Sequence, residues 1–243
     1  MERHVFDAMA AGDATHWWYT ARRRVLRAII EREVRPAVDA RILEIGCGTG
    51  HNFSMLAEFG PVDAVELDAH ARELATKRLG RPVMDARLPE LTGVERGRYD
   101  LVAALDVIEH VENDVAALHA MRGLLAPRGR VLIAVPAHAW MWSAHDRANH
   151  HHRRYSARSL RRALEGAMFH VERLAPINSL LFPLAVAQRF AAKATGRDGG
   201  TERVPPGPLN WAFDRLFGLE AYLVGRVPFP PGLSLVAVAS AAT

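Results

Sequence analysis

The sequence predicts an α/β fold, a doubly wound and mostly parallel sheet with helices on both faces, and three observations carry that prediction. Short apolar runs alternate with helical stretches along most of the chain, the pattern of repeated strand–helix–strand units. The first run, Ile42, Leu43 and Ile45, breaks off in glycines at 46, 48 and 50 and leads into a helix expected from about His51 to Phe59. A second run, Val62 to Asp68, closes on acids about twenty residues after the glycines, where such units present a carboxylate to a ligand at the strand ends.

Taken in order, the chain starts polar and irregular up to about Gly12. His16-Trp17-Trp18-Tyr19 then opens a basic amphipathic helix that passes Arg22, Arg23 and Arg24 and ends near Pro36. The aromatic residues at its start suit either a staple onto the domain or a lid over a ligand. After the second strand, Asp68 caps a helix over Ala69 to about Leu79, and Pro82 to Ala86 reads as a third short strand. Tyr99 to Leu105 is an apolar fourth strand, followed by Asp106-Val107-Ile108-Glu109-His110-Val111 and a helix to about Leu125. A turn at Pro127 to Arg130 precedes a fifth strand, Val131 to Val135.

From Pro136 to Tyr155 the chain is rich in histidine and tryptophan and leaves from the C-terminal edge of the sheet, where ligands bind in such folds. Ser156 caps a helix to about Ala167, and Phe169 to Leu174 is a sixth strand. Residues 178 to 231 form an excursion: an apolar helix, a Gly/Pro-rich linker from Gly196 to Pro208 expected to be mobile, and a second apolar helix over Leu209 to about Gly225. Leu233 to Ala239 is the final strand. The chain is read as one domain over 1-243, with an N-terminal helix to residue 36, a core over 37-177, a helical insertion over 178-231 and a last strand in 232-243.

Composition fits that reading. With 243 residues and 49% hydrophobic content the chain can bury one sizeable core. A formal charge of +4 and a pI of about 9.7 are too mild to argue for nucleic acid, and none is expected as a partner. The single cysteine, Cys47, excludes an internal disulfide and fits a reducing cytoplasm. No signal peptide is evident and no apolar stretch is long enough to span a bilayer, so a cytoplasmic location is expected.

The glycine block carries the chemistry. Glycine has no Cβ and tolerates positive φ, so a backbone can approach a bound nucleotide closely. Glu44, two positions before the first glycine, repels a pyrophosphate and suits a cationic ligand. That disfavours a dinucleotide, and with it an NAD(P) oxidoreductase, and favours a nucleoside with an amino-acid tail. Glu44-Ile45-Gly46-Cys47-Gly48-Thr49-Gly50 resembles motif I of the class I S-adenosylmethionine-dependent methyltransferases, E/D-x-G-x-G-x-G, in full. The D-V-x-E-H-V segment and the P-x-G turn before a V-L-I-x-V strand resemble the same family.

The resemblance implies a Rossmann-like seven-stranded sheet closing in an antiparallel hairpin, with S-adenosylmethionine as cofactor. It places the donor against Glu44, Gly46, Cys47, Gly48 and Gly50, the ribose against Glu66 beside Leu67, and the adenine against Asp85 and the Ala86 N–H. Leu105, Asp106, Val107 and His110 would line the rest, with Trp18 and Arg23 contributed by the N-terminal helix as a lid.

Two ways of readying a nucleophile are visible. The first is a general base, for which His145, His150 and His151 are candidates because imidazole titrates near neutrality. His151 is preferred, since the resemblance places a histidine four residues before the aromatic of the R-R-Y segment. The second is a metal. Asp106, Glu109 and His110 share a helical face at i, i+3 and i+4 and look like the E-x-x-E-H site of ubiquinone-type O-methyltransferases and small-RNA 2′-O-methyltransferases, which holds Mg²⁺ with a downstream histidine. The same D-x-x-E-H segment also occurs in the superfamily without metal.

For the acceptor, the excursion offers Leu180, Leu181, Phe182, Leu184, Val186 and Phe190, then Trp211, Phe213, Leu216, Phe217 and Tyr222, interspersed with Arg189, Lys193, Arg203, Arg215 and Arg226. The readings are packing onto the sheet, a hydrophobic acceptor cavity, or a basic amphipathic face resting on the inner face of a membrane. A prenylated or polyketide-like aromatic acceptor methylated on oxygen, less readily on nitrogen, fits best. A non-catalytic scaffold, or a methyltransferase acting on RNA, a sugar or a peptide amine, is the alternative. Removing residues 178 to 230 is expected to spare donor binding and abolish turnover.

Overall fold

The computed structural model describes residues 3–195 and 205–242. Its elements run α1 (Arg3–Gly12), α2 (Trp17–Ile29), which continues through a π-helical turn at Ile30–Val34, β1 (Ile42–Ile45), α3 (Phe53–Leu56), β2 (Val62–Val65), α4 (Ala69–Leu79), β3 (Tyr99–Leu105) and α5 (Asp114–Arg122). Then follow β4 (Leu125–Pro136), α6 (Ala144–Ala148), α7 (Ala157–Gly166), β5 (Phe169–Ile177), α8 (Phe182–Thr195), α9 (Gly207–Leu223) and β6 (Ser234–Ala241).

The strands form one sheet in the order β2-β1-β3-β4-β6-β5. β2, β1, β3 and β4 are parallel, and β6 runs antiparallel to both β4 and β5. Strands buried on both faces read as continuous apolar runs, and alternate residues feed two cores. Val102 and Ala104 of β3 face the core under α5 and α7, with Leu118, Met121, Leu160 and Leu164. Leu101, Ala103 and Leu105 face the core under α2 and α9, with Val25, Leu26, Ile29 and Phe217.

The sheet has the expected class and hairpin, with departures in detail. Residues 82–86 do not form a full third strand: Met84 alone bridges Val65, donating to Ala64 O at 2.9 Å and accepting from Glu66 N–H at 3.1 Å. Pro82 has no N–H to extend the ladder. The opening residues are helical rather than irregular, since Phe6 and Met9, three apart, turn one face inward and line the cavity described below. α3 is a single turn that ends at Leu56, short of the expected Phe59. The turn at Pro127 to Arg130 lies inside β4 as a bulge between the pairs Tyr99–Leu125 and Leu101–Arg130. The linker expected at 196–208 lies outside the described residues up to 204, and Gly207 and Pro208 already belong to α9.

Candidate active site

Because β1 to β4 are parallel, their C-terminal ends share one edge of the sheet, and the glycine loop, Glu66, Asp106 and Pro136 gather there. The cavity at that edge measures about 1720 Å³, against roughly 300–1,000 Å³ for a single small-molecule site. It has room for two ligands side by side.

The glycine loop floors one half. Gly46 has φ of 65°, and a Cβ there would come 2.7 Å from Val107 Cγ2, so only glycine lets the loop pass this close to the end of β3. Gly46 and Cys47 donate to Val65 O at 2.8 and 3.1 Å, which ties the loop to β2. Glu66 Oε2 accepts from Gly48 N–H and Oε1 from Asp68 N–H, both at 2.8 Å. Burial pushes the Glu66 carboxyl up, and the backbone donors oppose that. Glu66, Leu67, Ala86, Leu105, Asp106 and Val107 all line the cavity. Asp85 is turned outward, with its side chain 64% exposed and 3.0 Å from Arg72 Nη2.

Behind the loop lies a polar layer. Glu44 is buried and accepts from Asn52 Nδ2 at 2.7 Å. Its other oxygen has no partner, and burial pushes its carboxyl up to about 8. Burial likewise raises the Cys47 thiol. Arg22 is buried under the Trp18 ring, 4.8 Å from its centroid, with Nη2 in an ion pair 2.8 Å from Asp106 Oδ2. His51 lines the cavity with both ring nitrogens buried and unpartnered. Burial, and then the charges of Arg22, Arg23 and Arg78, hold it down to about 3, so the ring is neutral. Arg23 sits off the cavity, donating to the carbonyls of Asp13 and His51 at 2.9 and 3.2 Å. Sequence reading singled out Arg23 and passed over Arg22 and His51. The helical phase that turns Arg22 inward beside Trp18 was the available signal.

The other half is built by the chain between β4 and α7. His151 Nδ1 lies 2.9 Å from Asp146 Oδ1, which also accepts from Arg154 Nε at 2.7 Å, while Ser143 N–H and hydroxyl donate to Oδ2 at 2.8 and 2.9 Å. Burial alone would raise the Asp146 carboxyl; hydrogen bonds from His151, Arg154 and Ser143 hold it well below the usual range. With Nδ1 taken, His151 has Nε2 left for the cavity it lines. His145 is exposed at the rim, its ring 6.1 Å from that of His151. His150 is exposed, with φ of 55°.

The expected metal residues are arranged differently. Asp106 has φ of 61° and is not helical; only Ile108–His110 forms a 3₁₀ turn. Its carboxylate is held by Arg22, so it does not join Glu109 and His110. The structure brings His151 to them instead: donor atoms of Glu109, His110 and His151 all lie within 4.8 Å of one another. Glu109 has no exposure and both its oxygens are unpartnered. Burial and the nearby Asp106 push its carboxyl well above the usual range. Burial and the neighbouring His151 lower His110 to about 4. An orphaned buried carboxyl beside the imidazoles of His110 and His151 fits a divalent ion. Two nitrogens and one carboxylate suit manganese, iron or zinc better than magnesium, which prefers an oxygen shell.

Leu181, then Leu184, Ala185 and Gln188 of α8, with Met141 and Phe213, wall this half. Of the cations expected in the insertion, Lys193 and Arg203 lie outside the residues whose side chains are described.

A methyltransferase-domain family profile matches residues 17–174. The mitochondrial ubiquinone biosynthesis O-methyltransferase of Schizosaccharomyces pombe is 33% identical over 101 residues, 39% of this chain and 37% of that protein. The chain thus aligns over less than half of the length of the ubiquinone O-methyltransferases it matches. Among solved structures, the cyclase SpnF superposes with a TM-score of 0.60 at 19% identity, over 93% of this chain and 84% of that one. The geranyl diphosphate C-methyltransferase of Streptomyces coelicolor A3(2) gives 0.59 at 12%, over 89% and 78%. At these identities the superpositions show the fold alone, and a fold carries many reactions. The family rests on the matched profile and on the intact glycine motif: the chain belongs to the class I S-adenosylmethionine-dependent methyltransferases.

Proposed function

We propose that this protein transfers a methyl group from S-adenosylmethionine to an oxygen of a hydrophobic small molecule, a phenol in the most economical case. The observation that carries this is the Asp146–His151 pair set into the wall of the same cavity that the glycine loop floors. S-adenosylmethionine, when bound, supplies an electrophilic methyl carbon. His151 Nε2 takes the proton from the acceptor hydroxyl, and Asp146 holds the ring and stabilises the imidazolium. Leu181, Leu184 and Ala185 exclude water and orient an apolar acceptor. The named activity of the ubiquinone O-methyltransferases is consistent with this class. In a panel of phenols, carboxylic acids and amines, methyl transfer is expected on phenols and lost in His151→Ala. Transfer to amines alone would overturn the oxygen assignment.

A metal reading rests on the orphaned Glu109 carboxyl. Glu109, His110 and His151 would hold the ion, which would polarise the acceptor oxygen.

Access for a hydrophobic acceptor is proposed at a bilayer surface. α9 exposes Trp211, Leu216, Leu219, Tyr222 and Leu223, with Arg215 stacked 5.7 Å from the Trp211 ring centroid. Both of its acids are engaged inward: Asp214 with Arg24, and Glu220 with the backbone of residues 178–180. An apolar face with aromatics and one stacked cation suits an anionic interface. Among the described residues no helix is long and apolar enough to cross a membrane. Sedimentation with anionic and zwitterionic vesicles tests this, and absence of binding to anionic vesicles would sink it.

A further inference from the structure

α9 touches neither half of the cavity with a reacting group, yet its polar side chains fasten both. At its N-terminal end, Asn210 Oδ1 accepts from Trp17 N–H at 3.0 Å and Asn210 Nδ2 donates to Thr15 O at 2.9 Å. One turn on, Asp214 Oδ1 accepts from Thr20 Oγ1 at 2.5 Å, and Oδ2 pairs with Arg24 Nη2 at 2.9 Å. Trp17 also packs edge-on against Phe213 and Phe217, with centroids 5.4 and 6.3 Å apart. These contacts fix the start of α2, the turn that carries Trp17, Trp18 and Tyr19 into the cavity and Arg22 behind it. Near its C-terminal end, buried Glu220 accepts from the N–H groups of Asn178, Ser179 and Leu180 at 2.7, 2.6 and 2.9 Å. Those residues lead directly into Leu181 and α8, the acceptor wall.

We infer that α9 is a strut coupling the two halves of the site, and that Asn210 and Asp214 are positioning residues for the donor although both lie outside the glycine loop. The inference rests on the reading of that half as the S-adenosylmethionine site. It reverses the expectation that residues 178 to 230 are dispensable for donor binding. Without the strut, the start of α2 and the residues leading into it lose three side-chain hydrogen bonds, and Arg24 loses its ion pair, so Trp18 and Arg22 sample positions that do not complete the pocket. Donor binding must then order them, and affinity falls.

The test is calorimetric titration of S-adenosylhomocysteine into full-length wild type, Asn210→Ala, Asp214→Ala and, from the α2 side, Thr20→Val, with melting curves in parallel. Each variant is expected to raise Kd by about 5- to 20-fold, within the range of coupled sites, with binding stoichiometry unchanged. A merely structural role would lower the melting point or the fraction of competent protein and leave Kd where it was; that result in Asp214→Ala and Thr20→Val overturns the strut. Asp214→Glu, which keeps the carboxylate, is expected to recover part of the affinity. Wild type that fails to bind the ligand overturns the donor reading and the strut with it, whereas tight binding shared by all variants overturns the strut alone.

Discussion

Asp146 Oδ1 lies 2.9 Å from His151 Nδ1 and shares no surface with solvent, because Arg154 and Ser143 occupy the rest of the carboxylate. A buried, ionised acid in that position fixes one ring tautomer and one ring plane. The capping box of α6, in which Ser143 and Asp146 satisfy each other's backbone, is what holds the acid in place.

Asp146→Asn should therefore leave the donor site intact while removing the anion that stabilises a charged His151. Turnover is expected to fall by about 100-fold or more, with the S-adenosylhomocysteine Kd within twofold of wild type, since the residue lies across the cavity from the glycine loop. Steady-state kinetics on a phenolic acceptor, paired with calorimetry, separates the two. An unchanged kcat would remove His151 from the role of base.

Glu66 presents a carboxylate whose two oxygens each hold one backbone N–H and keep further lone pairs facing the cavity. Glu66→Ala is expected to weaken donor binding by about 1–3 kcal/mol for lost hydrogen bonds to a charged group. Equal affinity by calorimetry would place the ribose elsewhere.

Glu44 gives a pH signature. Its carboxyl is pushed up to about 8 in the folded protein from 4.5, so the folded state holds a proton that the unfolded chain releases. Its contribution to stability is full below 4.5 and declines as pH rises through 8. Other groups, His110 and His51 among them, slope the opposite way at acid pH, so the informative quantity is the difference between Glu44→Gln and wild type. That difference should be near zero at pH 4.5 and grow in favour of the variant by roughly 1 kcal/mol per pH unit towards pH 8. Urea melts at several pH values measure it, and a flat difference would mean that Glu44 ionises normally.

Manganese titration followed by electron paramagnetic resonance reads the Glu109, His110 and His151 cluster without reference to activity. One bound ion per chain is expected, lost in Glu109→Gln, with zinc competing better than magnesium. No bound manganese in wild type would leave Glu109 as a protonated core acid.

Much of the fold is legible in the sequence because the parallel strands are buried on both faces and so appear as uninterrupted apolar runs. The helix at Ala69 to Leu79 is equally plain, as Asp68 caps it by accepting from His70 and Ala71 N–H at 3.0 Å and Gly80 ends it with φ of 73°. The site is only half legible. The glycine loop and Glu66 are local, set by a few neighbouring residues. Asp106 illustrates the limit: its spacing from Glu109 and His110 suggests one helical face, but Arg22, 84 positions earlier by number (106 − 22), captures the carboxylate and leaves the third place to His151. A long-range ion pair leaves no trace in periodicity. Residues 82–86 are similar, because they read as a short strand, whereas only Met84 makes a bridge.

β6 lies between β4 and β5, so β5 pairs into the sheet solely through residues 234–241. During synthesis, β5 must therefore wait on the ribosome's delivery of that strand before it can pair. Until then β4 presents an open apolar edge. Substitutions in β6 that slow its pairing should thus reduce the yield of soluble protein more than they reduce the stability of molecules that have already folded.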